Sequence, residues 1–175
     1  MTAVAEEGRQ SRTTLEADLL LMDAKAKPTL RSIGVVRDAD DDAQSSFQSV
    51  CDGISHVGCQ PPARHGEFSS ATPSIGVFVV PDGSGGAIET ICKQSVMGTD
   101  AAECVEEYLE CLTTRDALRS RNPDKTFAHA YLAAGQDPTA RVVEGALQGA
   151  WNVQSPAFEG LCSFIRDLAS QNPDP

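Results

Sequence analysis

Ser32-Ile-Gly-Val-Val-Arg-Asp-Ala-Asp-Asp-Asp42 and Ser74-Ile-Gly-Val-Phe-Val-Val80 are the stretches whose reading decides the fold. Each opens with Ser-Ile-Gly-Val, each is a short apolar run rich in β-branched residues, and each finishes in an aspartate-bearing turn, at Asp38 and at Asp82. Periodicity alone does not separate a buried strand from a buried helix over so few residues. Length and composition favour the strand. Between the two runs, Ala43 to Val57 carries Phe47, Val50, Cys51 and Ile54 at the spacing of one helix face. Strand, helix, strand over this length is a βαβ unit, whose right-handed crossover makes the strands parallel. Parallel strands are buried on both faces and read as unbroken apolar runs, as these two do. The expected class is α/β, a small parallel sheet of Rossmann-like character with flanking helices.

Downstream the chain reads as helical. Thr99 or Asp100 caps a helix through Val105, Leu109 and Leu112, with Glu103 placed for a capping box. Cys104 and Cys111 share that helix and are expected to be buried as small apolar residues. Three later starts repeat one device, a capping side chain followed by proline: Asn122-Pro123, Asp137-Pro138 and Ser155-Pro156. The last helix is expected to bury Phe158, Leu161, Cys162, Ile165 and Leu168 on one stripe. Upstream, residues 1–13 are polar and without period, which predicts a flexible tail. A short amphipathic helix is expected over Leu15–Met22, ending before Pro28. The reading is one domain over residues 14–170, with 171–175 frayed.

At 175 residues the chain is long enough for one domain with a core. Its net charge of −11 excludes a broad basic surface that coats nucleic acid, since phosphate neutralisation needs clustered Lys and Arg. An enzyme holding phosphate through a metal and a few local cations is compatible with it. No apolar run approaches the ~20 residues that span a bilayer, so no membrane partner is expected. The start lacks the basic-then-apolar order of a signal peptide, and a cytoplasmic protein is expected. The six cysteines form no Cys-x-x-Cys pair. His56, Cys59 and His65 fit no familiar zinc spacing and lie in a loop-like segment.

Ligands of parallel sheets bind outside the carboxyl ends of the strands, and both strands put acids there. Asp38 and Asp40 are two apart, so their side chains point the same way if the strand geometry persists. Two carboxylates ~4 Å apart repel by roughly 4 kcal/mol at an effective dielectric of 20, and a divalent cation offsets that. With Asp41 and Asp42 following, oxygen ligation favours magnesium, manganese or calcium over zinc. The plainer reading is a solvated acidic turn that caps the helix beginning near Ala43. The second strand leads into Pro81-Asp-Gly-Ser-Gly-Gly86, whose glycines allow close approach of backbone to a ligand or to the first acidic turn. No Gly-Lys-Ser/Thr follows, so it is a poor phosphate loop. Asp82, and Glu89 at the start of the next helical stretch (87–95), are candidates to add a second acidic group.

Arg37-Asp-Ala-Asp-Asp-Asp42 after an apolar strand resembles the Asp-x-Asp motif of TOPRIM domains, the fold shared by topoisomerases, primases and nucleases of the overcoming-lysogenisation-defect type. Three blocks in order resemble a small uncharacterised bacterial family with a TOPRIM-related fold: residues 32–42, residues 73–89, and Lys125-Thr-Phe-Ala-His-Ala-Tyr-Leu-Ala-Ala134 leading to Gly149-Ala-Trp-Asn-Val153. The resemblance covers about residues 30–168. It implies metal ligation by Asp38 and Asp40, with Mg2+ or Mn2+ as cofactor, and a supporting acidic role for Glu89 and Asp82. It implies that Lys125 stabilises phosphate charge, consistent with a cation at a helix start, where the macrodipole disfavours one. The implied activity is that of a metal-dependent nuclease or another phosphoryl-transfer enzyme on nucleic acid. Arg115 and Arg119, neighbours on one helix face, and Arg121 are candidate phosphate contacts. The alternative is a catalytically incomplete TOPRIM-like binding or assembly module, such as an accessory subunit in phage defence; a homo-oligomer or a larger ATPase partner enters by analogy alone. A magnesium-dependent phosphate enzyme on a Rossmann-like sheet is the third reading. In one respect the chain departs from the pattern. TOPRIM domains begin with a strand and a glutamate-bearing turn, and no apolar strand is read before Ser32, although Glu6, Glu7 and Glu16 lie there.

Overall fold

Three strands form one parallel sheet in the order β1-β2-β3: β1 (Val4–Glu7), β2 (Ser32–Asp38) and β3 (Ser74–Val80). The structure is a computed structural model and describes residues 4–7, 30–135 and 137–171, with the backbone alone for 4–7. The helix expected over Leu15–Met22 and the frayed residues 172–175 lie outside the described residues. The remaining elements are α1 (Ala43–His56), α2 (Ile88–Val96), α3 (Asp100–Thr114), α4 (Pro123–Ala133), α5 (Val142–Leu147), a 3-10 turn (Pro156–Phe158) and α6 (Glu159–Ser170). The expected α/β class with a helical carboxyl half is what the chain adopts. It divides into two compact units, Met1–Ala87 with Gly160–Pro175, and Ile88–Glu159.

The first unit is the sheet with α1 and α6. The repeated tetrapeptide is a pairing code: Ser32 lies beside Ser74, Ile33 beside Ile75, Gly34 beside Gly76 and Val35 beside Val77. Alternation then sorts the two faces. Ile33, Val35, Ile75, Val77 and Val79 form one cluster with Phe47, Cys51 and Ile54 of α1. On the other face the paired glycines leave a trough for α6. A Cβ on Gly34 would stand 2.7 Å from Leu168 Cδ2, and one on Gly76 would stand 2.5 Å from Phe68 Cε1 and 2.8 Å from Phe164 Cε2. Phe164 stacks on Phe68 at 5.1 Å and tilts against Phe78 at 5.4 Å. The buried stripe of α6 is thus Phe164 and Leu168, whereas Ile165, expected inside, is 46% exposed.

β1 departs from the expected tail. Val4 to Glu7 pair in parallel with Gly34 to Arg37. Four residues with two glutamates carry too little apolar signal to read as a strand alone; the ladder along β2 supplies what composition does not.

The outer edge of β3 is covered by residues 64–69. Gly66 N–H donates to Val77 O at 2.8 Å, Ser69 N–H to Ile75 O at 2.9 Å, and Ser69 Oγ accepts from Ile75 N–H at 3.0 Å. His65 completes the cover, with Nε2 accepting the Val79 N–H at 2.7 Å. The same nitrogen lies 3.1 Å from Val79 O, but an unprotonated Nε2 bonds only the N–H. An open strand edge invites foreign pairing, and this loop closes it.

The second unit is helical. Thr99 caps α3, accepting from Ala102 N–H at 3.3 Å, and Asn122 caps α4, accepting from Lys125 N–H at 2.9 Å. Ser155-Pro156 opens the 3-10 turn that runs into α6. Asp137-Pro138 starts no helix: Asp137 takes the Thr139 N–H and hydroxyl at 2.9 and 2.7 Å in a local turn, and α5 begins only at Val142, where Glu144 accepts the Arg141 N–H at 2.6 Å. Phe127, Tyr131 and Trp151 form a stack with 5.9 and 5.3 Å between centroids. α3 buries only Ala102 and Val105; Cys104 and Cys111, expected inside, are exposed. Both lie opposite the Ala102–Val105 side at 100° per residue, which a seven-residue spacing does not reveal.

Candidate functional site

The acidic turn after β2 is built mostly by backbone. Ala39 N–H donates to Val80 O at 2.8 Å, which keeps β2 and β3 together past their formal ends. Asp40 then takes φ +51°, a left-handed conformation that aspartate tolerates better than most residues. Its N–H and C=O exchange hydrogen bonds with Gly86 at 2.8 and 2.7 Å. The glycine loop therefore does approach the acidic turn, and Gly85 shows why glycine stands there: a Cβ would lie 3.0 Å from Asp40 O and 3.1 Å from Asp41 O.

This turn interrupts the strand between the two aspartates. Strand geometry stops at Asp38, Ala39 is fully buried, and Asp40 points into solvent, 69% exposed, with Arg37 Nη2 at 3.8 Å. The expectation that Asp38 and Asp40 point the same way rested on a strand continuing through Ala39, and the positive φ ends it. Asp38 itself is half-buried at the end of β2, opposite Val80. Asp42 is the α1 cap, its Oδ1 accepting Ser45 N–H at 2.6 Å. The Ser45 hydroxyl, and then the Ser45 N–H, hold the Asp42 carboxyl below its ordinary value. Ser46 Oγ donates to Ala39 O at 3.0 Å and pins the turn to the helix.

Asp82 lies in the same unit and faces His65 Nδ1 at 3.3 Å. Because Nε2 accepts the Val79 N–H, the ring proton sits on Nδ1 and donates to Asp82. Glu89 and Lys125 stand in the second unit. Glu89 is 11% exposed in the first turn of α2, with Lys125 Nζ of α4 at 3.8 Å. Beside them Asp124 accepts from Thr90 Oγ1 at 2.8 Å, and Lys93 reaches Glu106 at 3.5 Å, Asp124 at 3.9 Å and the Phe127 ring at 5.1 Å. Sequence reasoning missed Thr90, Lys93 and Asp124, which bear no motif and meet only through helix packing. Arg115 closes α3 as its C-cap and Arg119 lies beyond it, so these two do not share a helix face.

A divalent cation needs several converging oxygens. Carboxylates of this turn are the right donor type, yet no three His, Cys, Asp or Glu side chains gather into a metal-holding group among the described residues. Register adds a neighbour at the backbone level: Glu6 lies beside Val36 and Glu7 beside Arg37, so β1 ends in two glutamates next to the strand that ends in Asp38. Adjacent strands are about 4.8 Å apart.

Fold and sheet edge together define a small α/β protein with an acidic turn at the carboxyl end of a parallel sheet. The chain belongs to a family described as a protein of unknown function, DUF3226, whose model matches residues 2–170 and so takes in β1. No curated protein and no solved structure matches it. No helix among the described residues is long and apolar enough to cross a membrane.

Proposed function

We propose that the chain is a TOPRIM-like domain that binds a divalent cation, Mg2+ or Mn2+, at the carboxyl edge of β1 and β2, and through it engages the phosphates of a nucleic acid. The observation that carries the reading is the parallel pairing of β1 with β2, which sets Glu6 and Glu7 beside Val36 and Arg37, at the end of the strand that finishes in Asp38. The TOPRIM resemblance calls for a strand and a glutamate-bearing turn ahead of Ser32, and a strand that ends in Glu6 and Glu7 supports that reading. The proposed ligands are Asp38 and a β1 glutamate, with Asp40 available if its contact to Arg37 is exchanged. Oxygen donors of this kind suit a hard cation. Nuclease or other phosphoryl-transfer activity is what the resemblance attaches to such an edge.

A second reading has its own support. Asp40 is turned away and paired, Asp42 is spent on a helix cap and Asp82 on His65. That pattern favours a binding or assembly module without phosphodiester cleavage. Plasmid nicking with Mn2+ or Mg2+ separates the two. Cleavage by the wild type and none by Asp38→Asn supports the enzyme, whereas Mn2+-dependent DNA retention without nicking supports the module. Neither nicking nor metal-dependent retention would remove the nucleic-acid reading.

A further inference from the structure

The cation reading leaves three arginines unused, and all of them stand on the connection between α3 and α4, inside the helical unit: Arg115, Arg119 and Arg121. Residues 111–123 set these three against a single acid, Asp116, a local charge of +2 in a chain of net charge −11. All three are exposed, and none makes an ion pair with a described residue. Both lysines of the same unit do: Lys93 is held by Glu106 and Asp124, and Lys125 by Glu89.

The connection is tied down at both ends. Asp116 takes φ +52°, its N–H donates to Thr113 O at 3.0 Å, and Ala117 N–H donates to Leu112 O at 2.8 Å, the paired bonds of a Schellman helix end. Further on, Ser120 Oγ donates to Asn122 O at 3.1 Å and accepts the Asn122 N–H at 3.2 Å, and Asn122 caps α4. The arginines are thus carried on an ordered turn, and the chain from Arg115 to Arg121 reaches at most about 20 Å. Guanidinium is a planar fork that takes two oxygens of one phosphate, so three forks on one turn match a chain of phosphates. None of the large exposed apolar side chains lies on this turn, which leaves it nothing to bury in a bilayer. We propose that the α3–α4 connection is a contact for the sugar–phosphate backbone of a nucleic acid, with Arg115, Arg119 and Arg121 each taking a phosphate. It rests on the nucleic-acid reading for its partner but needs no cation. Such a contact binds without regard to base sequence and weakens steeply with salt.

The test is the anisotropy of a labelled single-stranded oligonucleotide with the full chain in EDTA, over a range of salt. Binding is expected at low salt. In Arg115→Gln/Arg119→Gln/Arg121→Gln the log–log salt slope is expected to shrink by about 2, at about 0.7 per phosphate contact on a single strand. Affinity at the lowest salt is expected to drop at least about tenfold. Replacing the same three by lysine keeps the charges and is expected to keep the slope, and Asp38→Asn is expected to bind in EDTA as the wild type does. Circular dichroism checks that the glutamine variant keeps its helices, as exposed positions allow. No binding in EDTA would overturn this proposal, whatever Mn2+-dependent retention shows. So would a slope unchanged by the glutamine substitutions, a lysine variant as weak as the glutamine one, or tighter binding to phosphatidylserine vesicles than to the oligonucleotide.

Discussion

Gly76 shows how single residues hold the sheet to α6. Its missing Cβ is the space occupied by Phe68 and Phe164, neither of which is the loose end of a flexible chain. Gly76→Ala is expected to cost about 1–3 kcal/mol by overpacking. Urea denaturation measures it, and a midpoint equal to wild type would contradict the trough. Asp42 makes a prediction of a different kind. Its carboxyl titrates below its ordinary value because Ser45 bonds the charged form, and Asp137 is lowered likewise, by the Thr139 hydroxyl and then its N–H. A group lowered on folding stabilises fully above its unfolded value and ceases to as pH falls through the folded one. Helix stability is therefore expected to fall below about pH 4. Asp42→Asn keeps a capping oxygen without a titration, so its melting temperature should depend less on acid; parallel pH curves for the two proteins would refute this. The repeat Ser-Ile-Gly-Val announced the strands but not the reason for its glycine, because the ring that fills the trough lies 88 residues downstream of Gly76 at Phe164.

At the scale of elements, His65 tests the covered edge. Replacing it by alanine leaves the Val79 N–H without its acceptor, at a cost of about 1–3 kcal/mol for a buried donor. Faster amide exchange at Val79 in His65→Ala is the direct readout; unchanged protection would mean that the loop, not the ring, closes the edge. In the helical unit, Lys125→Met is expected to destabilise the α2–α4 pair, since Glu89 is 11% exposed and has Lys125 at 3.8 Å. Thermal melting measures it, and a melting temperature unchanged from wild type would contradict the pairing. Elements with strong local signals were readable in the sequence: β2, α1, β3, and the capped starts at Thr99 and Asn122. Those that depend on partners were not. β1 has four residues and no period, and becomes a strand through its ladder with β2. Asp137-Pro138 has the right residues for a helix start, but the Thr139 hydroxyl bonds the same carboxylate and closes a turn instead.

For the whole molecule, the sheet unit and the helical unit divide the residues singled out in the sequence. Asp38, Asp40 and Asp82 belong to the first, Glu89 and Lys125 to the second. The acidic turn was evident as charge at a strand end; the direction of its side chains was not, because the positive φ of Asp40 and its two bonds to Gly86 come from a loop 46 residues away. The edge of β1 and β2 is proposed to hold a divalent cation. Calorimetric titration of Mn2+ into the wild type, Asp38→Asn and Glu6→Gln/Glu7→Gln proteins tests it most directly. A single saturable site is expected in the wild type, lost or weakened at least about tenfold in both variants. Equal binding heats in all three proteins, or none in the wild type, would contradict it.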